Sequence, residues 1–189
     1  GNSADANGGG IHNCDGGVQN NVITGNSAQC GGGLYGCDGT IRNNTVYGNS
    51  AADQGGGLYH SGGAITNCII WANRAPEGPQ IFRDSVDSTP PTYSCIQNWE
   101  AGAIGNISGH PYFVDPGAGD YHLQSWSHCI DAGNPRGDVI REYQPNGGRV
   151  NMGAYGNTPE ATSASEDSDN DLLPDDWEMQ FFGNLAQEG

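Results

Sequence analysis

One string of glycines returns at a fixed spacing. "GNSADANGGGIH" begins at Gly1, "GNSAQCGGGLYG" at Gly25 and "GNSAADQGGGLYH" at Gly48. Their triple glycines begin at Gly8, Gly31 and Gly55, 23 and 24 residues apart. A worn fourth unit is legible, because "ITNCIIWAN" (65–73) aligns with "IRNNTVYGN" (41–49) and "VQNNVITGN" (18–26). A repeat of this length is one supersecondary unit that cannot bury its apolar side chains alone and does so by stacking on its neighbours.

The units carry short β-type runs, "GGLY", "GTIRN" and "NTVYG", between Gly and Asn punctuation. Val, Ile, Thr and Tyr in such runs read as strands, and the i, i+3, i+4, i+7 apolar spacing of a helix is missing from them. The expected fold class is all-β: a parallel β-helix, or solenoid, with equivalent residues of adjacent coils about 4.8 Å apart. Three apolar columns follow from the alignment: Ile11, Leu34 and Leu58; Val18, Ile41 and Ile65; Ile23, Val46 and Ile70. Asn21 and Asn44 form a turn column, as do Asn2, Asn26, Asn49 and Asn73, where Asn tolerates a left-handed backbone and can hydrogen-bond to its copy in the next coil. The glycines are expected where φ is positive or where coils approach too closely for a Cβ. A β-sandwich with Gly-rich loops does not explain turns that recur once per coil.

Residues 1–99 read as these coils. Residues 100–161 keep strand-like pieces ("YFV", "YHL", "HCI", "RVNMGAYG") among longer loops and prolines, as irregular final coils covering the open end of the stack. Residues 162–189 change character again. There "DSDNDLLPDDWE" sets carboxylates at positions 1, 3, 5, 9 and 12 of a twelve-residue loop: Asp167, Asp169, Asp171, Asp175 and Glu178. With the Leu173 carbonyl at position 7, this is the ligand spacing of a Ca²⁺ loop, in which alternate oxygens wrap a hard cation and a final Glu closes the site. Position 6, usually Gly, is Leu172. Asp175 and Glu178 also suit a helix-capping pair. The helix that follows sets Trp177 and Phe181 on one face with Phe182 beside them, and is too short to be stable without burying them. These three aromatics are the candidate assembly contact.

Cys14 and Cys37 lie 23 residues apart, hence one coil apart in one column, within disulfide reach. Cys68, Cys95 and Cys129 each precede Ile and suggest a second column. The formal net charge is −16, with six arginines and no lysine. Binders of nucleic acid and of anionic membranes depend on clustered cations, so neither partner fits, and no apolar run reaches the roughly 20 residues of a membrane span. No coil gathers carboxylate, His and Arg together, so no catalytic residue is assigned. Asp15 and Asp38 stack as a pair at a turn. Tyr35, Tyr47, Tyr59 and Trp71 form a candidate surface for glycans or a partner.

The motif G-N-x-A…G-G-G-[IL]-Y…[IV]-x-N-N-x-[IV] resembles the right-handed parallel β-helix repeats of bacterial surface and secreted proteins. "NISGHPYFVDPGAGDYHLQSWSHCIDAGNP" (106–135) and "PNGGRVNMGAYGNTPEA" (145–161) look like the C-terminal portion of the choice-of-anchor type within that group, with His128 where Pro is common. The acidic segment is similar to the D-x-D-x-D-G-L-P-D-x-W-E endings of exported bacterial proteins, and is akin to dockerin and thrombospondin type 3 calcium loops. The resemblance implies an extracellular or cell-surface module that binds Ca²⁺. Its expected partners are copies of itself, neighbouring surface domains or glycans. The leading expectation is a non-catalytic rod segment, assembling end to end; the alternative is a polysaccharide-binding or lyase-type module.

Overall fold

The computed structural model describes residues 1–83, 89–100, 104–144, 146–166, 168 and 175–183. It is a parallel β-solenoid with one short C-terminal helix. The first sheet stacks β1 (Ile11–His12), β5 (Leu34–Tyr35), β9 (Leu58–Tyr59) and β12 (Ile81–Phe82). The second stacks β2 (Val18–Gln19), β6 (Ile41–Arg42) and β10 (Ile65–Thr66). A third holds β3 (Val22–Thr24), β7 (Thr45–Tyr47), β11 (Ile69–Trp71) and β13 (Cys95–Ile96), and a fourth pairs β4 (Ser27–Cys30) with β8 (Ser50–Gln54). All pairs within these sheets are parallel, one coil apart. A sandwich is thereby excluded.

The three apolar columns are in register. Ile11 pairs with Leu34 and Leu34 with Leu58; Val18 with Ile41 and Ile41 with Ile65; Ile23 with Val46 and Val46 with Ile70. Ile81 extends the first column and Ile96 the third. These side chains and Cys37 and Cys68 make the interior core. At about 25 cal/mol per Å² of apolar surface removed from water, this stacking is the main driving force of the fold.

Each triple glycine combines both reasons for having no Cβ. The first member is left-handed, with φ of 71°, 66° and 66° at Gly8, Gly31 and Gly55. The second touches the next coil: a Cβ on Gly32 would lie 2.3 Å from the Ser50 carbonyl oxygen. Glycine meets both demands without moving a coil.

None of the six asparagines expected at a left-handed corner adopts that conformation; the corner falls one residue earlier, and of the two expected roles they keep the hydrogen bond to the next coil. The left-handed position is taken by Asn20, Asn43 and Asn67 (φ 53°, 49° and 54°) and, at the next corner, by Gly25, Gly48 and Ala72. The residues after Gly25, Gly48 and Ala72 turn inward and build a buried ladder. Asn26 donates from N and Nδ2 to Asn49 Oδ1 at 3.0 and 2.9 Å, and Asn49 does the same to Asn73 Oδ1, both at 3.0 Å. Asn73 Nδ2 reaches Gln80 Oε1 at 2.9 Å, and Gln80 Nε2 reaches Gln97 Oε1 at 3.0 Å. The spare amide protons go to main-chain carbonyls, Asn49 Nδ2 to Ile23 at 2.9 Å and Asn73 Nδ2 to Val46 at 2.9 Å. An amide is tolerated in a core on condition that its donors and acceptors are all met in this way.

After β13, Ile107 pairs with Cys95 and adds one more bridge to the third sheet. From Gly109 the chain runs back along the flank of the stack. The hairpin β14 (Phe113–Asp115) and β15 (Asp120–Leu123) is antiparallel. Alternation along the third sheet explains the docking: Ile23, Val46, Ile70 and Ile96 point into the solenoid, while Ile69, Cys95, Tyr47 and Trp71 join a second cluster with Phe113, Tyr121, Leu123, Cys129 and Met152. The left-handed asparagines grip this segment. Asn20 Nδ2 donates to the carbonyls of Ala154 (2.9 Å) and Gly156 (2.8 Å), Asn43 Nδ2 to that of Asn151 (3.2 Å), and Asn67 Oδ1 accepts from the Asn134 N–H at 2.8 Å. Gly153 fits because a Cβ there would meet Ile69 Cδ1 at 2.8 Å.

Candidate functional site

Four of the six expected calcium ligands, Asp167, Asp169, Asp171 and Leu173, lie outside the described residues, as does Leu172. Asp175 and Glu178 are described, three residues apart on α1 (Asp175–Phe181). Their environments differ. The Asp175 carboxylate accepts from the Ser168 hydroxyl (2.5 Å) and N–H (2.7 Å), and these two bonds hold its pKa below the usual carboxylate range. Glu178 is 0% exposed although Met179 beside it is 51% exposed. A carboxylate taken fully out of water costs several kcal/mol unless it is compensated inside the protein.

The acidic segment is tied to the flank. Asn151 Nδ2 donates to the Thr162 carbonyl at 2.7 Å and Thr162 Oγ1 to that of Leu123 at 3.0 Å. Ser165 N donates to the Ser125 carbonyl at 3.0 Å, and the Ser125 hydroxyl donates to Asp176 Oδ2 at 2.6 Å. At its far end, α1 closes on Gly183, whose φ of 73° lets its N–H and that of Phe182 both reach the Glu178 carbonyl. Trp177 packs on Phe181 and Phe182, with ring centroids 4.7 and 5.3 Å away, and the two phenylalanines stay 56% and 45% exposed.

The four aromatics named from the sequence fall into two groups. Tyr35 and Tyr59 stack, with centroids 4.9 Å apart and planes 8° apart, inside a column that His12 begins and Phe82 ends. His60 adds a second ring against Tyr59 at 4.2 Å. Each tyrosine has a ring on either side of it, so the column turns mainly edges toward solvent. Tyr47 and Trp71 belong to the other face. Tyr47 meets Phe113 and Tyr121 edge-on or tilted, and Trp71 meets His110, so the flanking segment covers them.

All six cysteines are free thiols. Cys14 and Cys37 share a column as expected. Each thiol donates to a carbonyl of its own coil, Gly16 and Tyr35 respectively, at 3.6 Å. Burial pushes the Cys37 thiol up, and a bond from the Cys14 main chain opposes the rise. Cys68 stands one coil above Asn44, whereas Cys95 pairs with Ile69, so Cys68, Cys95 and Cys129 do not form the single column expected of them. Asp38 accepts from the Gly62 N–H at 3.0 Å at an exposed corner.

One polar cluster has no signal in the sequence beyond its residue types. Glu142 Oε1 is buried and accepts from the N–H groups of Asn151 (2.9 Å) and Asn157 (2.6 Å). Burial pushes its pKa up, those two bonds oppose the rise, and Asp131 adds to it. Asp131 is likewise raised by burial and lowered by Arg149, whose guanidinium donates to the carbonyls of Ala132 and Gly133. The cluster pins the 131–157 loops to one another. Among the described residues, no three His, Cys, Asp or Glu side chains are grouped to hold a metal ion, and no helix is long and apolar enough to cross a membrane.

No protein-family model, curated protein or solved structure matches the chain.

Proposed function

We propose that the chain is a non-catalytic segment of a stiff extracellular or cell-surface solenoid. The observation that carries this reading is the continuous vertical registry of its coils. Three apolar columns and the Asn26–Asn49–Asn73–Gln80 ladder direct both greasy and polar side chains at the next coil. Parallel coils of this kind resist bending, because a bend must shear every ladder at once, and they extend by adding further coils. Contact between ends, with the exposed Phe181 and Phe182 as one surface, is heterologous and builds linear assemblies. Electron microscopy of the purified chain with and without Ca²⁺ tests the assembly. Linear oligomers are expected, and dispersed monomers under both conditions would remove end-to-end contact from the proposal.

Calcium is the second element. Ca²⁺ takes six to eight oxygens, with a bidentate Glu closing the loop and the ninth position often acting through water. Glu178 occupies the closing position and is buried as a ligand there needs to be. Asp175 occupies the ninth position and keeps its bonds to Ser168, which suits a water-mediated role. Asp167, Asp169, Asp171 and the Leu173 carbonyl would supply the remaining oxygens. Titration calorimetry with Ca²⁺ on the wild type and Asp169→Ala tests this. At 100 times Kd the gain is about 2.7 kcal/mol, a rise in Tm on the order of 5–10 °C that the variant should lack. Wild type that neither binds nor shifts would remove calcium while leaving the rod.

Glycan binding at the Tyr35–Tyr59 column is the alternative reading, and the stacking of that column counts against it. Sugars stack on ring faces, and these faces are already engaged by neighbouring rings. A glycan array and a uronate lyase assay decide between the two readings, and uronate-dependent product would overturn the non-catalytic one.

A further inference from the structure

Two cysteines that the repeat keeps apart are brought together by the flanking segment. Cys95 belongs to β13, yet its side chain points away from the solenoid core into the second cluster, where Cys129 also sits; both are 0% exposed. Each is anchored by its main chain. Cys95 N donates to the Cys68 carbonyl at 2.8 Å, while the Cys129 carbonyl accepts from Met152 N at 2.9 Å and Cys129 N donates to Ser127 Oγ at 3.2 Å. Two further contacts bind the segments carrying them. The Cys95 thiol reaches the Gly109 carbonyl at 3.2 Å, and Gly109 lies against the His128 ring. The Ser127 hydroxyl donates to the Pro111 carbonyl at 2.6 Å. Both side chains sit in that one buried cluster, and the neighbouring Cys129, together with burial, pushes the Cys95 thiol far up.

We infer that Cys95 and Cys129 are a disulfide site that fastens the flanking segment to the last coil of the third sheet. The chemistry needs a disulfide oxidant, such as oxidised glutathione or a thiol–disulfide oxidoreductase. The thiolate of one cysteine attacks a sulfur of the oxidant, forming a mixed disulfide and releasing one thiol. The second cysteine then attacks the protein sulfur of that mixed disulfide and expels the other half of the oxidant. Two protons and two electrons leave the protein with the two released thiols. The setting also fixes when this happens. With both sulfurs sealed from solvent, the docked segment is closed to an oxidant. Oxidation therefore accompanies folding and is slow once the segment has seated. Neither thiol needs to travel far, since both side chains already lie in the same buried cluster.

The test is to refold the reduced full chain in a glutathione redox couple, block free thiols with N-ethylmaleimide under denaturing conditions, and map the peptides. Arg83 and Arg136 enclose both cysteines in one tryptic peptide, so a second cleavage after Glu100 or before Asp115 is needed to separate them. A cross-linked pair resistant to the maleimide is expected, together with a loss on reduction of about 5–10 °C in Tm. The Cys14→Ser/Cys37→Ser double variant should keep that shift, and Cys129→Ser should abolish it while leaving the strand circular dichroism unchanged. Recovery of Cys95 and Cys129 both alkylated after oxidative refolding would overturn the inference, as would a cross-link formed by any other pair in place of this one.

Discussion

Cys68 does with a thiol what Asn44 does with an amide one coil below. Asn44 Nδ2 donates to the carbonyls of Val18 (2.7 Å) and Arg42 (3.0 Å), and Cys68 Sγ donates to the equivalent carbonyls of Ile41 (3.6 Å) and Thr66 (3.3 Å). Its acceptor role is kept too, because Asn44 bonds back to the sulfur. Complete burial pushes this thiol up to about 11, so it stays protonated and remains a donor. The ladder continues upward as Cys68 N donates to Ser94 Oγ at 3.1 Å and Ser94 N to Asn106 Oδ1 at 2.9 Å.

Cys68→Val therefore costs more than its change in volume implies. It leaves the Asn44 N–H and two carbonyls without the sulfur, a loss of about 1–3 kcal/mol. Cys68→Asn restores the amide found in the coil below and is expected within about 1 kcal/mol of wild type. Urea unfolding of the two variants measures the difference, and equal losses would count against the ladder.

Asn49 lies in the middle of the longer ladder and is 0% exposed. Asn49→Ala removes the acceptor of two Asn26 protons and opens a small void, with an expected loss of about 2–4 kcal/mol. Asn2, at the exposed end of the same column, donates to a single acceptor through its main chain, so Asn2→Ala is expected to be close to neutral. The contrast between these two positions is the measurement, by the same unfolding experiment.

Two glycines separate the two costs of a Cβ. Gly48 is left-handed at 64° with nothing within 4 Å of where a methyl would sit, so Gly48→Ala costs about 1–2 kcal/mol and Gly48→Asn less, as Asn43 occupies such a corner already. At Gly32 the obstacle is the neighbouring coil, 2.3 Å from the added carbon, so Gly32→Ala must separate coils and is expected to exceed 3 kcal/mol, roughly the level of severe core disruption. Thermal denaturation ranks the three variants.

Glu142 makes stability depend on pH. Its folded pKa is raised above 4.5, so the folded state holds this proton more tightly than the unfolded one. The contribution is present below the unfolded value and is lost as pH rises through the folded one. Glu142→Gln keeps an Oε1 acceptor for Asn151 and Asn157 and removes the buried charge. The stability of the variant minus that of wild type is expected to grow as pH rises from about 4 to 7, which denaturant titrations along that range would show. A difference that stays flat or shrinks contradicts the assignment.

The repeat makes the solenoid legible because columns depend only on period: Leu34 opposite Leu58 follows from counting. Counting places the corner at Asn21 and Asn44, one residue later than the coil turns. Asn43 and Asn44 are chemically the same, and only the built coil shows the first left-handed with its amide outward and the second facing inward. Cys95 escapes the counting for a related reason. The "CI" pair suggests Cys68 as its neighbour, but the chain between the last coils is longer, and Ile69 takes that position. The docking of the flanking segment is invisible in the sequence because its contacts are remote, Asn20 meeting Gly156 across 136 residues. For the acidic loop, spacing identifies carboxylates by type, and the full burial of Glu178 is a property of the fold that no spacing contains.

The left-handed asparagines have a consequence for how such a chain can evolve. Asn20, Asn43 and Asn67 sit on three successive coils, and each holds a different point of the 134–156 segment. That segment acts as a gauge with three prongs, matched to one rise. Duplicating a coil between Asn20 and Asn67 would leave the stack itself sound but put one prong out of reach. Coils added below Asn20 leave all three prongs engaged.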